Sequence, residues 1–562
     1  MSRVRPRDPL SASPPPGDLS VGAFSDHPPW LVEPEDLPWR IGLDLVRAET
    51  RAAVPGLIRR RRLPPWRRIV RVSAILGWAI AGWYLADRRK QAPESRAGLS
   101  RRLRFAFQRL GPTYIKLGQI LSSGEGIFPP ELVGEFKLLR DRVPAESFAT
   151  VRECVETDLG CSLEEVFCEF SPEPVAAASI AQVHRARLHS GEEVVVKVQR
   201  PQVAALVKND LAVMSFLAPH LVGRIPIAVL ANPPALIELF AETIVEELDF
   251  RLEAESMLDI ASVIAATEQR TIVVPRPHPR LVTPRVLVME RLDGFAWDDV
   301  GGMQSAGIAT EKVMRATIVS FLEGVMLFGV FHGDLHGGNL FVLPDGRVAL
   351  LDFGITGRLD EGSRLAFLRL VMGAMMNDVR GQVAALRDLG ALGAHADLDE
   401  VVADLGLDGP PEDLVAMSAE ELTRQMRELT KKLLAHGVKL PKELMLFVKN
   451  ILFLDSVVAV LAPNVDLLNE VVEVAGYFAS RHGDQIAREI GIDPAQAGGD
   501  LDGVRAAIGV SAGTERITYQ ELRARREAVR RKLGRDRQAG RAGESTRPDD
   551  ESSGPSRRRP EP

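Results

Sequence analysis

The chain has 562 residues, too many for one hydrophobic core, so its length predicts two or more structural units. Its 45% hydrophobic and 26% charged residues are ordinary for a folded protein, and a net charge of −6 over this length identifies no class of partner. The cysteines, Cys154, Cys161 and Cys168, are too few for a disulfide framework and lack zinc-site spacing, so we expect reduced, inert thiols in a cytoplasmic protein.

The two ends of the chain are predicted to be disordered. Residues 1–38 are rich in Pro, Ser and Asp and show no secretory signal. Residues 486–562 are predicted to be a charged, largely disordered tail, which from Asp536 onward is rich in Arg, Gly, Ser, Pro and Glu. Within that tail, Thr518–Arg535 has the pattern of an exposed basic helix.

Residues 39–98 combine basic and apolar segments. Arg59–Arg62 and Arg88–Lys90 flank Val72–Ala86, an apolar run that contains several aromatic residues. The run is shorter than the about 20 residues that a helix needs to cross a bilayer. Flanking arginines and aromatic residues favour a helix lying on an anionic surface, which would place the protein peripherally at the cytoplasmic membrane. The alternative is a helix buried against the next domain.

Hydrophobic periodicity divides the rest of the chain into helical and strand-like segments. The helical segments are Leu99–Glu146, Val151–Leu159, about Val203–Glu268 and most of the chain after Thr310. The strand-like segments are Ala181–Leu188, Val194–Gln199, Ile272–Pro275 and Val286–Glu290. The very apolar segment Ile451–Leu461 is interrupted by Asp455, so we expect a buried core helix there.

The strand around Lys197 carries a single cation among apolar neighbours. A protein kinase has such a lysine on its third strand, where it holds the α and β phosphates of ATP. A lysine that extends from an edge strand into solvent is the alternative.

An alanine-rich run precedes Lys197 at the position of a kinase glycine-rich loop. Its candidate nucleotide-binding residues are Ala176, Ala177, Ala178 and Ser179. Alanine lacks the free access of glycine to positive φ, so such a loop should be stiffer and should hold phosphates differently. The start of a helix is the alternative.

Two further segments have weaker patterns. Glu253 lies on a predicted helix after Lys197, where the ion-pair partner of the lysine is expected, although many helical carboxylates only form a solvated face. Glu247 and Asp249 precede it. Met289 and Glu290 end an apolar strand that suits the hinge whose backbone binds adenine, but this pattern is generic.

The strongest pattern is His332-Gly333-Asp334-Leu335-His336-Gly337-Gly338-Asn339, followed by Asp352-Phe353-Gly354. Apolar runs and a short turn between the two motifs predict a loop and a hairpin. Asp334, Asn339 and Asp352 form the carboxylate–amide–carboxylate set with which kinase-like folds hold the metal ions of a nucleotide and orient a hydroxyl nucleophile.

Taken together, these residues resemble the UbiB/AarF-type atypical kinase-like family, whose eukaryotic members support coenzyme Q synthesis. The resemblance covers about Leu99–Asn469. Its specific motifs are Lys116-Leu117-Gly118-Gln119, the alanine-rich run, Val196-Lys197-Val198-Gln199-Arg200-Pro201, Glu247-Leu248-Asp249, His332–Asn339 and Asp352-Phe353-Gly354. On its own, the first of these would be an ordinary amphipathic helix segment.

The resemblance implies an α+β fold, a two-lobed protein kinase-like fold with an N-terminal helical extension that covers the active site. On this basis the chain is divided into a disordered segment, a basic and apolar helical segment, the extension, an N-lobe with a helical insert, a C-lobe and the charged tail. The corresponding ranges are 1–38, 39–98, 99–160, 161–295, 296–485 and 486–562.

The resemblance also implies that Lys116 and Gln119 occupy the cleft in which an ordinary kinase would bind a protein substrate. Lys116 would either contact the nucleotide or pair with Glu247 and Asp249. A covering helix excludes peptide and water and leaves room for a nucleotide and a small or lipidic ligand. This argues against ordinary protein phosphorylation. It favours ATP hydrolysis, or phosphorylation of a small substrate, linked to isoprenoid-quinone lipids.

The implied cofactors are ATP (or ADP) and Mg²⁺. Asp352 would hold the bridging Mg²⁺ and Asn339 the second metal ion, while Lys197, positioned by Glu253, would hold the phosphates. Asp334 would be the catalytic base that orients water or a hydroxyl acceptor. We expect His332 to support the loop by hydrogen bonding.

Two departures from the family pattern and two rival functions accompany this interpretation. Gly337 stands where the family usually has proline, which should loosen the loop. A charged tail replaces the hydrophobic C-terminal hairpin of many bacterial relatives, so membrane contact would have to come from Arg59–Lys90. The rivals are a nucleotide-sensing, lipid-binding pseudokinase and a conventional Ser/Thr kinase, and the latter is disfavoured because no Ala-Pro-Glu segment follows Asp352-Phe353-Gly354. No nucleic-acid partner is expected.

Overall fold

The computed structural model describes most of the chain between residues 36 and 529. The described residues are 36–59, 65–122, 129–139, 145–221, 233–267, 271–376, 378–406, 432, 436, 441–491 and 515–529. Of the predicted disordered segments 1–38 and 486–562, residues 1–35 and the tail from Asp536 lie outside the described residues. The prediction is wrong for Leu37, which is buried, and for residues 486–490, which are helical.

Helices come first along the chain. They are α1 Leu43–Ile58, α2 Trp66–Ala86, α3 Ala92–Leu110, α4 Pro112–Ser122, α5 Pro130–Lys137, α6 Phe148–Leu159 and α7 Leu163–Val166. The α6 helix begins at a capping Ser147, whose hydroxyl accepts from the Thr150 N–H, and ends at Gly160 with φ of +72°. Glycine adopts this left-handed conformation without a steric penalty, so the predicted end of the helix is confirmed.

The strands lie in the middle of the chain. They are β1 Phe167–Ala177, β2 Ala181–Leu188, β3 Glu193–Gln199, β4 Ile272–Val273, β5 Pro277–Val282, β6 Val286–Glu290, β7 Phe295–Ala296, β8 Val330–His332, β9 Leu340–Val342, β10 Val348–Leu350 and β11 Thr356–Arg358. The first sheet is antiparallel, with the order β1-β2-β3-β6-β5. A second sheet has the order β4-β10-β9-β7, and β8 pairs with β11.

The remaining helices lie between and after these strands along the chain. They are α8 Val203–Leu221, α9 Pro233–Glu246, α10 Phe250–Ala266, α11 Val300–Ser305, α12 Thr310–Glu323, α13 Glu361–Met375, α14 Val379–Asp388, α15 Leu398–Leu405, α16 Lys442–Leu461 and α17 Leu467–Ile490. The prediction of one long helical region after Val203 is therefore wrong, because the region contains separate helices. It is broken between α9 and α10, where Asp249 accepts from the Arg251 N–H and caps the new helix.

Two of the apolar clusters in the described residues involve the first sheet and the helices around α4. In the first sheet, the buried faces of Val194, Val196 and Val288 pack against Val151 and Val155 of α6. Alternation of buried β-branched residues along β3 is what a strand with one covered face requires.

The second cluster consists mainly of helix residues. Fully buried Leu110, Phe136, Leu211 and Phe240 bring α3, α5, α8 and α9 into one core. Gly118 of α4 lies in the same region, and a Cβ atom at that position would overlap the side chain of Leu139. The glycine of the Lys116–Gln119 motif is therefore required for close packing of α4.

The chain folds into two compact units. The first comprises residues 1–368 and 440–462, and the second comprises 369–439 and 463–562. The predicted boundary between residues 295 and 296 falls inside the first unit, and the predicted lobe limits stay predictions. The chain has the mixed helix and sheet content of the predicted α+β class.

In the second unit, a short helix follows the predicted limit of folded structure at residue 485. Residues 519–529 are helical, and Ile517 and Leu522 pack against Leu468 of α17. The prediction of an exposed basic helix in this region is therefore wrong for one face, because Tyr519 and Leu522 are buried.

The α2 helix is longer than the apolar run suggested. It begins at Trp66 and has 21 residues, because Arg67, Arg68 and Arg71 continue the helix N-terminally. In the described part of the chain, α2 and α16 are the two helices that could cross a membrane by length and composition, a test that core helices and signal sequences also pass. The prediction that the run is too short for a span is thus corrected.

One face of α2 is firmly attached to the protein. Arg68 Nε lies 2.5 Å from Asp210 Oδ1, its Nη2 lies 2.6 Å from the Leu110 carbonyl oxygen, and the Trp83 indole donates to the Ser95 carbonyl oxygen at 3.0 Å. The Asp210 side chain is fully buried, and this burial raises its pKa despite the contact with Arg68. The alternative of a helix packed on the next domain holds for this face.

We expect Arg68→Met to lower the free energy of unfolding by about 3–5 kcal/mol, because it leaves the buried Asp210 carboxylate without its cation. Arg67→Met, one residue earlier and exposed, is the matched control and should change it by less than about 0.5 kcal/mol. Urea unfolding of both variants measures the difference. Equal losses in the two variants would contradict the structural role of the pair.

Candidate active site

The phosphate-binding lysine predicted from sequence lies at the centre of a charged cluster in the first unit. Lys197 Nζ, on β3, lies 2.6 Å from Glu253 Oε1 on α10 and 3.1 Å from Asp352 Oδ1. The side chains of Lys197 and Glu253 are 11% and 5% exposed. The structure therefore brings together three residues that are separated by 56 and 155 positions in sequence.

Burial and neighbouring charges together set the pKa values of Lys197, Asp352 and Glu253. Burial opposes the charge on Lys197, but Asp352 and Glu253 outweigh it and raise the pKa of the ammonium. Desolvation likewise opposes ionisation of Asp352, yet Lys197 and Lys116 hold the pKa of this carboxyl well below its usual range. Burial raises the pKa of Glu253 even beside Lys197. Lys197 and Asp352 are therefore charged at neutral pH.

The backbone at Asp352 is strained. Its φ of +56° lies in the left-handed region, which non-glycine residues rarely adopt. The carboxylate accepts a hydrogen bond from the Gly354 N–H at 3.3 Å as well as contacting Lys197. Strain of this kind costs about 1–3 kcal/mol and persists where surrounding contacts hold it, often at functional sites.

The loop from β8 to β9 is held by hydrogen bonds within the loop and to the Leu351 carbonyl oxygen after β10. The Asn339 amide donates to the Asp334 carbonyl oxygen at 3.0 Å. His332 Nδ1 accepts from the Asp334 N–H, and Nε2 faces the Leu351 carbonyl oxygen at 3.1 Å and must donate to it. Burial lowers the pKa of His332, so the ring is neutral, in the loop-supporting arrangement expected from the sequence. His336 Nδ1 accepts from the Gly338 N–H and caps the turn.

Two functional candidates on α16 were missed by sequence reasoning. Lys449 Nζ contacts Asp334 Oδ1 in a mostly buried ion pair. The next residue, fully buried Asn450, accepts from the Leu335 N–H at 3.0 Å and donates to the His332 carbonyl oxygen at 2.6 Å. The sequence signal was a Lys-Asn pair in an otherwise apolar helix, which indicates a polar contact but not its partner.

Nearby cations determine the charge of the Asp334 carboxyl group. Burial opposes its ionisation, but the charges of Lys449, His336 and Lys116 outweigh burial and hold the pKa of Asp334 well below its usual range. The carboxylate is therefore ionised and can accept a hydrogen bond from a hydroxyl group.

The motif lysine of α4 pairs with one of its two predicted partners. Lys116 Nζ lies 2.7 Å from Glu247 Oε1, and both side chains are largely buried. Burial opposes the charge on Lys116, but Glu247, Asp334 and Asp352 together raise the pKa of the lysine. The predicted pairing with Asp249 is wrong, because Asp249 caps α10 and pairs with Arg251 at 2.6 Å. Gln119 is partly buried one helical turn after Lys116.

The alanine-rich segment is only partly a loop. Ala176 and Ala177 belong to the end of β1, where they pair with β2. The connection is limited to residues 178–180, with the Ala178 N–H donating to the Ala181 carbonyl oxygen at 2.8 Å and Ser179 buried. The prediction of a phosphate loop beginning at Ala176 is corrected by this pairing, and the alternative of a helix start is wrong.

The predicted hinge residues are the last two residues of β6. Met289 and Glu290 are buried and pair with Val195 and Val194 of β3. The Glu290 carboxylate accepts from the Arg276 N–H at 3.2 Å, so its side chain turns toward β5.

Gly337 is packed under an aromatic side chain. A Cβ atom at position 337 would overlap the Trp297 indole, whose ring centroid lies 5.4 Å from that of Phe453. The expectation that glycine loosens this loop is therefore incomplete, because the space that a proline ring would fill is taken by Trp297.

The arrangement of a strand lysine, a helical glutamate, an Asp-Phe-Gly aspartate and a loop Asp/Asn pair defines a protein kinase-like site. Residues 138–386 match the ABC1 atypical kinase-like domain. The chain belongs to the UbiB/AarF family of atypical kinase-like proteins, as its similarity to the relatives described next shows.

An uncharacterized protein of Mycobacterium tuberculosis is 37% identical over 381 residues, which cover 66% of this chain and 77% of that protein. An uncharacterized aarF domain-containing protein kinase of Arabidopsis thaliana chloroplasts is 33% identical, over 66% of this chain and 73% of that protein. A probable protein kinase UbiB of Aeromonas hydrophila is 35% identical, over 47% of this chain and 50% of that protein.

We expect Asn450→Leu to lower the free energy of unfolding by about 2–4 kcal/mol, because it leaves the Leu335 N–H and the His332 carbonyl buried without a partner. Asn209→Leu, on the exposed side of α8 in the same unit, is the control and should have little effect. Urea unfolding compares them. A loss no larger for Asn450→Leu than for Asn209→Leu would contradict the proposed support of the loop.

Proposed function

We propose that this protein is a Mg²⁺-dependent ATPase or phosphotransferase whose acceptor is water, a small molecule or a lipid. The observation that carries the proposal is the contact of Lys197 with both Glu253 and Asp352. A lysine held by a helical glutamate beside the Asp-Phe-Gly aspartate is the assembled form of a kinase phosphate-binding site. In this proposal Lys197 binds the α and β phosphates and Glu253 keeps its ammonium directed at them.

The donor set of the site fits a hard divalent cation. Asp352 offers an ionised carboxylate and Asn339 an amide oxygen, since its amide nitrogen already donates to Asp334. In the described part of the chain, His, Cys, Asp and Glu side chains form no group of three that could hold a metal alone, so nucleotide phosphates would complete the coordination. When bound, Mg²⁺ would neutralise phosphate charge.

Asp334 is the proposed base. Its carboxylate is ionised, and Lys449 occupies one oxygen, which leaves the other to accept a hydrogen bond from water or a hydroxyl acceptor. In the proposal Asp334 orients the oxygen of the water or hydroxyl acceptor toward the γ-phosphorus and accepts the proton of that acceptor. His332 holds the loop and is not itself protonated.

The Lys116–Glu247 contact supports a covered cleft. Lys116 is coupled electrostatically to Asp334 and Asp352 as well as to Glu247, so α4 lies close to the proposed reaction centre. We propose that residues 99–160 form the predicted N-terminal extension over a two-lobed kinase-like domain, with Lys116 and Gln119 as the residues that exclude a peptide and much of the water. This favours a small or lipidic acceptor, as does the implied link to isoprenoid-quinone metabolism.

A peripheral membrane location is supported by the free face of α2. Arg68 and Trp83 hold one face to the protein, whereas Trp78 is 80% and Leu85 is 85% exposed on the other. A helix held along one side cannot cross a bilayer without breaking the buried pair of Arg68 with Asp210. We propose that α2 lies in the plane of an anionic cytoplasmic membrane surface, with Arg67 and Arg71 near phosphate groups.

A nucleotide-sensing pseudokinase is the second candidate, because Lys116 competes with metal ions for the carboxylates that surround it. The retained Lys197, Asp334, Asn339 and Asp352 set favours turnover over this alternative. A conventional Ser/Thr kinase would need an open cleft, which the position of Lys116 disfavours.

We expect Asp352→Asn to lower Mg²⁺-dependent phosphate release from ATP by at least about 100-fold, because it removes a charged metal ligand and the partner of Lys197. Asp345→Asn, in the exposed turn between β9 and β10, is the matched control. Phosphate release with and without EDTA, and with and without anionic liposomes, is the measurement. Retained turnover in Asp352→Asn would refute the metal assignment, and nucleotide binding without turnover by the wild type in every condition would favour the pseudokinase.

We expect the double variant Trp78→Glu/Leu85→Glu to lower the vesicle-bound fraction of the full chain, since each change removes an apolar side chain worth about 1.5–3 kcal/mol when buried in lipid. Co-sedimentation with phosphatidylcholine vesicles containing phosphatidylglycerol measures this, and binding should weaken at high salt. Leu138→Glu/Val175→Glu, which changes two exposed apolar residues elsewhere, is the control. Undiminished binding of the α2 variant would rule out this face.

A further inference from the structure

A largely buried lysine on α16 contacts the proposed base from a distant part of the chain. Lys449 and Asp334 are 115 residues apart, and their side chains are 14% and 19% exposed. Surface ion pairs contribute little and rarely persist, whereas a pair this far removed from water is held by its surroundings.

The residue after Lys449 on α16, Asn450, contacts the loop backbone on both sides of Asp334. Asn450 donates to the carbonyl oxygen of His332, two residues before Asp334, and accepts from the N–H of Leu335, one residue after it. Asn450 is fully buried. The Lys449–Asn450 pair therefore contacts the loop at three points, two on its backbone and one on the Asp334 carboxylate.

Each of the three lysines of the site pairs with different carboxylates. Lys197 contacts Glu253 and Asp352, Lys116 contacts Glu247, and Lys449 contacts Asp334. A carboxylate whose orientation is fixed by one cation can direct its second oxygen at an acceptor. Without that cation, Asp334 would face the negatively charged phosphates of a nucleotide with its own charge less compensated.

We propose that Lys449 is a positioning residue for the Asp334-dependent step of phosphoryl transfer or hydrolysis. This inference rests on the proposed function. In that step the acceptor oxygen forms a bond to the γ-phosphorus while the bond to the β–γ bridging oxygen breaks, ADP leaves with the electron pair, and the acceptor proton passes to Asp334. Lys449 holds one carboxylate oxygen, so that the other meets the acceptor.

The test compares Lys449→Met, Lys449→Arg and the control Lys442→Met in the full chain. Lys442 lies two helical turns earlier on α16 and interacts electrostatically with Glu242. We expect Lys449→Met to lower kcat for ATP turnover by about 100-fold with KM for ATP changed less than about 2-fold, because misplacing a base slows the chemical step and spares binding. Lys449→Arg should recover most of kcat, and Lys442→Met should match the wild type.

A double variant separates positioning from general damage. If Lys449 acts through Asp334, Lys449→Met should cause no further loss of kcat in an Asp334→Asn background, since the positioned group is already gone. Multiplicative losses, or wild-type kcat in Lys449→Met, would overturn the proposal. A raised KM with unchanged kcat would instead make Lys449 a nucleotide-binding residue and would also overturn it.

A readout without turnover distinguishes this failure from failure of the proposed function. Lys449→Met should lower the Tm of the ligand-free protein, and the loss should be smaller in the Asp334→Asn background, because that variant leaves no unpaired carboxylate. Wild-type protein without turnover would refute the proposed function while this thermal comparison still reports the contact. Equal Tm losses in both backgrounds would refute the Lys449–Asp334 coupling itself.

Discussion

The site depends on the neutralisation of four carboxylates that have been drawn together, of which three are largely buried and one, Asp352, has 46% of its side chain exposed. Asp334, Asp352, Glu247 and Glu253 interact electrostatically as one cluster, and Lys116, Lys197 and Lys449 supply the opposite charge. Burying a carboxylate without a partner costs several kcal/mol, so each lysine stabilises the folded state as well as preparing the site. The three lysines come from α4, β3 and α16. The cluster therefore exists only when the N-terminal helices, the first sheet and a helix late in the chain have all packed together.

The N-terminal helices are tied to α10, the helix that carries Glu253. Arg47 pairs with Glu255 at 2.7 Å, and Arg51 pairs with Glu246 at the end of α9 at 2.9 Å. The Glu255 side chain is 7% exposed, so its pair with Arg47 counts for more than a solvated ion pair. The position of Glu253, and through it that of Lys197, thus depends on α1 as well as on the sheet. Residues before the matched kinase-like domain therefore help to hold Lys197 in place.

Local departures from the family pattern are absorbed by neighbouring side chains. Trp297 fills the space beside Gly337, and Asn450 and His332 hold the loop backbone on both sides of Asp334. The alanine-rich connection is short because β1 continues through Ala177, and Arg200 Nε donates to the Ala178 carbonyl oxygen at 3.0 Å to hold the turn. The loop around Gly337 and the connection between β1 and β2 are both held by residues that are distant in sequence. The motifs do not include these residues.

The sequence by itself determined the α+β class and the kinase-like family, and it singled out Lys197, Glu253, Asp334, Asn339 and Asp352 as candidate site residues. Strand and helix periodicity and motif spacing are local properties, which is why β2 and β6 were predicted to the residue. Only the tertiary structure decided which carboxylate each lysine meets: Lys449 with Asp334, Lys116 with Glu247 and not Asp249, and Arg68 with Asp210. Ion pairs across 115 or 142 residues have no periodic signature, because they depend on how helices pack and not on how each one forms.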